Sequence, residues 1–193
     1  MATEKKRRAI LNAAENLFLS RRFDQVTLDE VCRKAGVGKG TIYRYFDSKE
    51  ELLAEVILSG MDDLYEMMKL KTESARSPDG KLLATAKALQ GFHRRHSTLF
   101  RSLHAEWLRG VLRGSDLHKE MMKRRERTAK LVASIMRAGQ KQGIYRRDLP
   151  AESASLVFLS VIRAAVMSKH GKGARLIPLN QMLSVFLNGI RTR

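Results

Sequence analysis

The sequence predicts an all-α protein, and three observations carry that prediction. Apolar residues recur at i, i+3, i+4 and i+7 from end to end, the repeat of a helix with one buried face. β-branched and aromatic residues alternate with polar ones over no convincing window, so strand signals are nearly absent. Gly and Pro together number 16 of 193 residues while hydrophobic residues make up 44%, which suits one or two globular domains with a sizeable core. Such a chain carries its charge on a folded surface. With 37 Lys and Arg against 20 Asp and Glu the net charge is +17, which excludes an acidic disordered chain and makes a polyanion the first partner to consider.

Taken in order, the first helix spans about 3–20, with Ile10, Ala13, Ala14, Leu17 and Phe18 on one face and Lys5, Lys6, Arg7 and Arg8 at its start. Positive charges there oppose the helix dipole, so an external anion would relieve them. Residues 21–26 read as a loop. Thr27 to Glu30 then has the spacing of a capping box, with a hydroxyl at the N-cap and a carboxylate three residues on. Leu28, Val31, Cys32 and Ala35 share an apolar face, and Gly36 stands where a helix ends in the left-handed region. A third, short helix opens at 38–41 and runs through Phe46. Two short helices joined by a glycine-containing turn form a helix-turn-helix.

Ser48 to Glu51 is a second capping box, starting a long helix with Leu52, Leu53, Val56, Ile57, Met61 and Leu64 inward and an end in the low seventies. Residues 74–80 have the Ser, Pro and Gly of a connector. Further helices are expected at about 81–96, 98–109, 115–141, 151–169 and 178–191, with Gly143 and Pro150 bounding one loop and Gly171, Gly173 and Pro178 another, about nine helices in all. The single cysteine, Cys32, excludes an intrachain disulfide and reads as a buried small hydrophobe; a reducing, cytoplasmic setting is the expectation. The start of the chain lacks the apolar stretch of a signal peptide. The most apolar window, 153–168, is too short for a membrane span and contains Arg163, so no membrane partner is expected.

Residues 27–49 concentrate the chemistry. A recognition helix enters the major groove with its N-terminal residues leading, which places Lys39, Gly40, Thr41, Tyr43, Arg44 and Tyr45 where they reach DNA. Gly38 and Gly40 carry no Cβ and let the backbone approach a phosphate. Tyr43 offers a hydroxyl to a phosphate and its ring to a thymine methyl, and Lys49 offers a point charge at the start of the next helix. Ile42 and Phe46 are core positions, and Tyr45 is divided between packing and DNA.

Residues from about 8 to 58 resemble the DNA-binding domain of the TetR family of bacterial transcriptional regulators. The resemblance is carried by Ala13, Phe18, Thr27, Ala35, Gly36, Val37, Lys39, Gly40, Tyr43, Phe46, Lys49 and Leu52 in family order and spacing. It implies an N-terminal three-helix domain at 1–47 and a C-terminal effector-binding and dimerisation domain at 48–193, connected by a helix at about 48–73. It further implies a homodimer on a palindromic operator in double-stranded DNA. By position Thr27, Tyr43, Lys39 and Lys49 resemble phosphate contacts, and Thr41, Arg44 and Tyr45 face bases or the groove wall. Gly38 departs from the family, which more often has a polar residue there to cap the recognition helix.

Beyond residue 60 no motif continues, and pattern alone is read. Phe92, Phe100, Trp107 and Met122 beside His93 and His104 outline an apolar chamber for a small hydrophobic effector, or simply fill a core. His93 and His96 are three apart, but Arg94 and Arg95 lie between them and no carboxylate partner is evident, so no metal site is expected. No cofactor motif and no catalytic triad or carboxylate pair is suggested, which disfavours an enzyme. The helices at 151–169 and 178–191 are apolar over so wide an arc that a four-helix dimer seam is expected, as the family also implies.

The charge divides unevenly. Residues 1–50 hold 11 Lys and Arg against 7 Asp and Glu, whereas residues 51–193 hold 26 against 13. The basic second half is either solvated surface adding long-range attraction to DNA or the receiver of an anionic effector such as a fatty acid or its acyl-CoA. Two functions follow for test: a ligand-responsive regulator, and a sequence-independent nucleic-acid binder.

Overall fold

The computed structural model describes residues 2–99, 116–167 and 178–192. Its helices are α1 (Ala2–Ser20), α2 (Leu28–Ala35), α3 (Lys39–Tyr43), α4 (Lys49–Ser74), α5 (Pro78–Arg95), α6 (Leu117–Lys141), α7 (Ala151–Met167) and α8 (Leu179–Ile190). No strand occurs among the described residues; one isolated antiparallel bridge joins Tyr145 and Arg191. The all-α expectation holds. The expected helix at 98–109 lies outside the described residues after Leu99, as do Phe100, His104 and Trp107 and the loop glycines 171 and 173.

The chain divides into two compact units, residues 1–62 with 95–121 and residues 63–94 with 122–193. In the first, Ile10, Ala14, Phe18, Val26, Val31, Ile42, Phe46, Leu52 and Leu53 are buried in one continuous core. Ile42 and Phe46 are wholly enclosed, as their pattern predicts, and each such side chain contributes about 2 kcal/mol by leaving water. Three local expectations are corrected here. The segment expected as a loop contains a 3-10 turn, Phe23–Gln25, because Phe23 folds inward onto Phe18 with ring centroids 5.6 Å apart. The recognition helix ends at Tyr43 rather than Phe46, since Phe46 must turn into the core. Ser48 accepts from the Glu51 amide at 3.0 Å as a capping box requires, but the Glu51 carboxylate accepts from the Asp47 amide at 2.6 Å instead of closing on Ser48.

In the second unit the expected connector shortens, because Pro78 opens α5 from its first turn and Ser77 caps it by accepting from the Gly80 amide at 3.1 Å. Proline suits that position since its missing N–H is one a helix start leaves unpaired. Helices α7 and α8 pack against each other through Phe158 and Phe186, edge to face at 5.5 Å. Tyr145 is buried after the Gly143 turn, which has the left-handed φ of 72°. Its hydroxyl donates to Asp79 at 2.7 Å, and Arg191 donates to the other oxygen of the same carboxylate. Backbone bonds from Arg146 to Ile190 (2.8 Å) and from Thr192 to Ile144 (3.1 Å) complete a clasp of three segments distant in sequence.

Candidate nucleic-acid interface

The helix-turn-helix is built from the sequence signals in order. Thr27 caps α2, its hydroxyl accepting from the Glu30 amide at 3.2 Å while the Glu30 carboxylate accepts from the Thr27 amide at 3.0 Å. The Glu30 carboxyl is held below its ordinary value first by that Thr27 amide and then by Arg21. Gly36 ends α2 at φ 66°, a conformation that would strain any residue with a Cβ, and Val37 donates to the Cys32 carbonyl at 3.1 Å to set the turn. Gly38 then begins α3 with no side chain to cap it.

With Ile42 and Phe46 anchored inward, the opposite face of α3 stands out to solvent. Lys39, Gly40, Tyr43 and Arg44 are exposed and Thr41 is half-exposed, with nearly half of the Tyr43 surface open (48%). Apart from their own stretch of backbone, no atom of the described residues lies within 4 Å of where a Cβ would stand at Gly38 or Gly40, so the backbone there is accessible. Lys39 pairs with Asp29 across the turn at 2.8 Å, and that hydrogen bond raises its pKa, keeping it cationic. Both partners are largely exposed, so the pair breaks at little cost when a stronger anion arrives.

Three of the expected contacts also have partners within the protein. Lys49 donates from Nζ to the carbonyls of Phe23 and Val26, each at 3.0 Å, and sits 4.2 Å over the Phe23 ring. It locks the 3-10 turn against α4. Tyr45 is half-buried; its hydroxyl donates to the Thr3 carbonyl at 3.0 Å, and the Arg44 guanidinium lies 5.4 Å over its ring. Thr27 is likewise engaged as a cap, though exposed.

Sequence reasoning also missed a buried polar pair in the first unit. His96, expected to lack a carboxylate partner, is buried and bonds Glu15 through Nε2 at 3.0 Å, with Arg95 at 3.8 Å from the same oxygen. An ionised carboxylate only accepts, so Nε2 carries the proton. The His96 bond chiefly, and then the charges of His96 and Arg95, hold the Glu15 carboxyl below its ordinary value against the opposing effect of burial. A depressed carboxyl stabilises the fold fully above its ordinary value of 4.5, and that contribution is lost as pH falls through the folded value. Glu15→Gln is therefore expected to melt below wild type at pH 7, with the gap closing at acid pH; a gap independent of pH would contradict the pairing.

Three of the six effector candidates fall on described residues. Phe92 is buried, His93 is half-buried with its ring 6.0 Å from that of Phe92, and Met122 is exposed. Phe100, His104 and Trp107 lie outside the described residues. An open groove of about 450 Å³ is lined by Tyr65, Lys123, Glu126, Arg127, Lys130, Leu131 and Ser134, none of them an effector candidate. Among the described residues no cluster of three His, Cys, Asp or Glu is arranged to hold a metal ion. No helix among them is long and apolar enough to cross a membrane.

A capped α2, a glycine turn and an α3 with one buried and one basic, aromatic face form a helix-turn-helix, an architecture of DNA-binding proteins. Residues 10–56 match the model for bacterial regulatory proteins of the tetR family. The repressor KstR2 of Rhodococcus jostii is 24% identical over 197 aligned positions, covering 96% of this chain and 91% of that one. Reduced Escherichia coli NemR superposes with a TM-score of 0.76 at 21% identity, covering 97% and 99% of the two chains. FadR of Bacillus subtilis, in complex with stearoyl-CoA, gives 0.70 at 21%, covering 95% and 98%. Over residues 10–56 the chain is thus similar to the tetR-family DNA-binding domain, and the relatives it matches over most of its length are transcriptional regulators.

Proposed function

We propose that this chain is a ligand-responsive repressor that binds a palindromic operator as a homodimer and is released by a small hydrophobic or amphipathic effector. The observation that carries the reading is the exposed face of α3, where Lys39, Tyr43 and Arg44 stand outward from a helix fixed by Ile42 and Phe46. In it Lys39, Tyr43 and the amides at Gly38 and Gly40 take phosphates, with Thr41 and Arg44 toward the groove. Thr27 and Lys49 support the face by capping α2 and fixing the turn before it, and Tyr45 by holding the start of α1. The functional division we adopt is a DNA-binding domain at 1–47 and a ligand-binding and dimerising domain at 48–193, acting in the cytoplasm.

Dimerisation is supported by apolar surface on α7 and α8: Leu156 (60%), Val157 (52%) and Val185 (72%) are open to solvent in the single chain. A second copy would cover them with the same face, as two-fold symmetry requires. The effector is assigned to the second half, near Phe92, His93 and Met122 with Phe100, His104 and Trp107. That stearoyl-CoA occupies the B. subtilis FadR supports an acyl, anionic class, in keeping with the net positive charge beyond residue 50. Binding there would shift the population toward a spacing of recognition helices that no longer fits successive major grooves.

Selection from a random duplex library tests the operator. The expected product is a palindrome with half-sites about 10 base pairs, or a multiple, apart. Lys39→Ala with Tyr43→Ala should lower affinity for it by about tenfold for each side chain removed while leaving the melting temperature unchanged. Enrichment of no sequence, with equal affinity for every duplex, would favour the sequence-independent binder that the +17 charge alone suggests.

A further inference from the structure

We propose that the first turns of α1 form a second contact with the DNA backbone, in which Lys5, Lys6 and Arg8 meet phosphates flanking those reached by α3. The proposal rests on the DNA-binding reading above and adds to it a surface outside the helix-turn-helix.

The four consecutive cations at the start of α1 do not share one fate. Arg7 lies on the inward side, paired with Glu55 and 5.7 Å over the Phe46 ring, so it serves the core. Lys5, Lys6 and Arg8 are exposed, and among the described residues none of the three forms an ion pair. Three like charges within one helical turn, with only Glu4 beside them, repel one another and lower the stability of the isolated fold. A polyanion removes that penalty.

Their placement says which polyanion. The Tyr45 hydroxyl holds the Thr3 carbonyl at 3.0 Å across 42 residues of sequence, fixing the start of α1 against the residue that follows Tyr43 and Arg44. Arg44, itself exposed, stacks on Tyr45 at 5.4 Å and continues the basic surface from α3 toward α1. The cations therefore extend the recognition surface by about one helical turn, roughly 5 Å along α1. Flexible ammonium and guanidinium groups on a surface turn present charge without a fixed donor pattern. They meet backbone phosphates, adding affinity and salt dependence and leaving sequence preference alone. Tyr45 is then a positioning residue, acting through Thr3.

The test is the salt dependence of binding by the full chain to its selected duplex and to random duplex. For Lys5→Gln with Lys6→Gln and Arg8→Gln, the slope of log affinity against log salt should flatten by about 1 for each phosphate the variant no longer neutralises, two to three in all. The fall in affinity should be the same on both duplexes, so that the ratio of specific to random affinity is kept. Lys5→Arg with Lys6→Arg should keep the wild-type slope, and Tyr45→Phe should flatten it in part. An unchanged slope in the triple Gln chain, or a fall in affinity with no change of slope, would overturn the proposal. A wild-type chain with no sequence preference would instead sink the operator reading, and the slope comparison on random duplex would still decide this one.

Discussion

Gly139→Ala is expected to disrupt the second unit more than any other single methyl group added at the glycines described. A Cβ at 139 would stand 2.2 and 2.3 Å from two carbons of the Tyr145 ring, far inside van der Waals contact. The ring has nowhere to go: it is 2% exposed, its hydroxyl is bound to Asp79, and the neighbouring backbone is tied to Ile190 and Thr192. Overpacking of this kind costs about 3 kcal/mol, or a fall in melting temperature of roughly 6–12 °C for a chain of this size. Gly91→Ala is the control. Beyond the backbone of α5 itself, no atom of the described residues lies within 4 Å of its Cβ position, so the same methyl should stabilise by about 0.5–1 kcal/mol through helix propensity. Equal melting temperatures for the two variants would contradict the packing described for Tyr145.

Lys49→Met should separate a structural role from a DNA contact. Methionine keeps most of the stem but leaves the carbonyls of Phe23 and Val26 without their donor and removes the cation over the Phe23 ring. Removing two charge-assisted hydrogen bonds and that ring interaction amounts to about 3 kcal/mol. Chemical denaturation of the first unit, followed by helicity, checks it. DNA affinity of the folded fraction should keep its salt slope, because the charge is already spent inside the protein. A stable Lys49→Met with a flattened slope would return Lys49 to the phosphate contacts that the family resemblance implies for it.

Lys49 also marks where sequence reasoning stops. Thr27, Glu30 and Gly36 were legible because each acts within four residues of itself, through a cap or a left-handed turn that only certain side chains satisfy. Ile42 and Phe46 were legible from helical spacing. The partners of Lys49 lie 23 and 26 residues back, and those of Tyr45 and His96 lie 42 and 81 residues away. Nothing local in a sequence encodes such distances. The Asp79, Tyr145 and Arg191 clasp escaped for the same reason, and its aspartate was hidden in a segment that Ser, Pro and Gly made look like a connector. In the second half, composition identified the basic charge and the apolar helices but no ligand, since a chamber is a property of how helices pack and not of any one helix.

Cys32 offers a consequence of a different kind. It is the chain's one thiol, 6% exposed beneath the glycine turn, with burial chiefly and Asp29 next pushing its pKa up. A thiol reagent therefore reacts only when α2 swings away from α1, and the rate of labelling reports the free energy of that opening. The regulator carries its own single-site reporter: without any engineered label, one reaction rate, followed with and without DNA or an acyl ligand, would read how firmly the recognition element is held in each state.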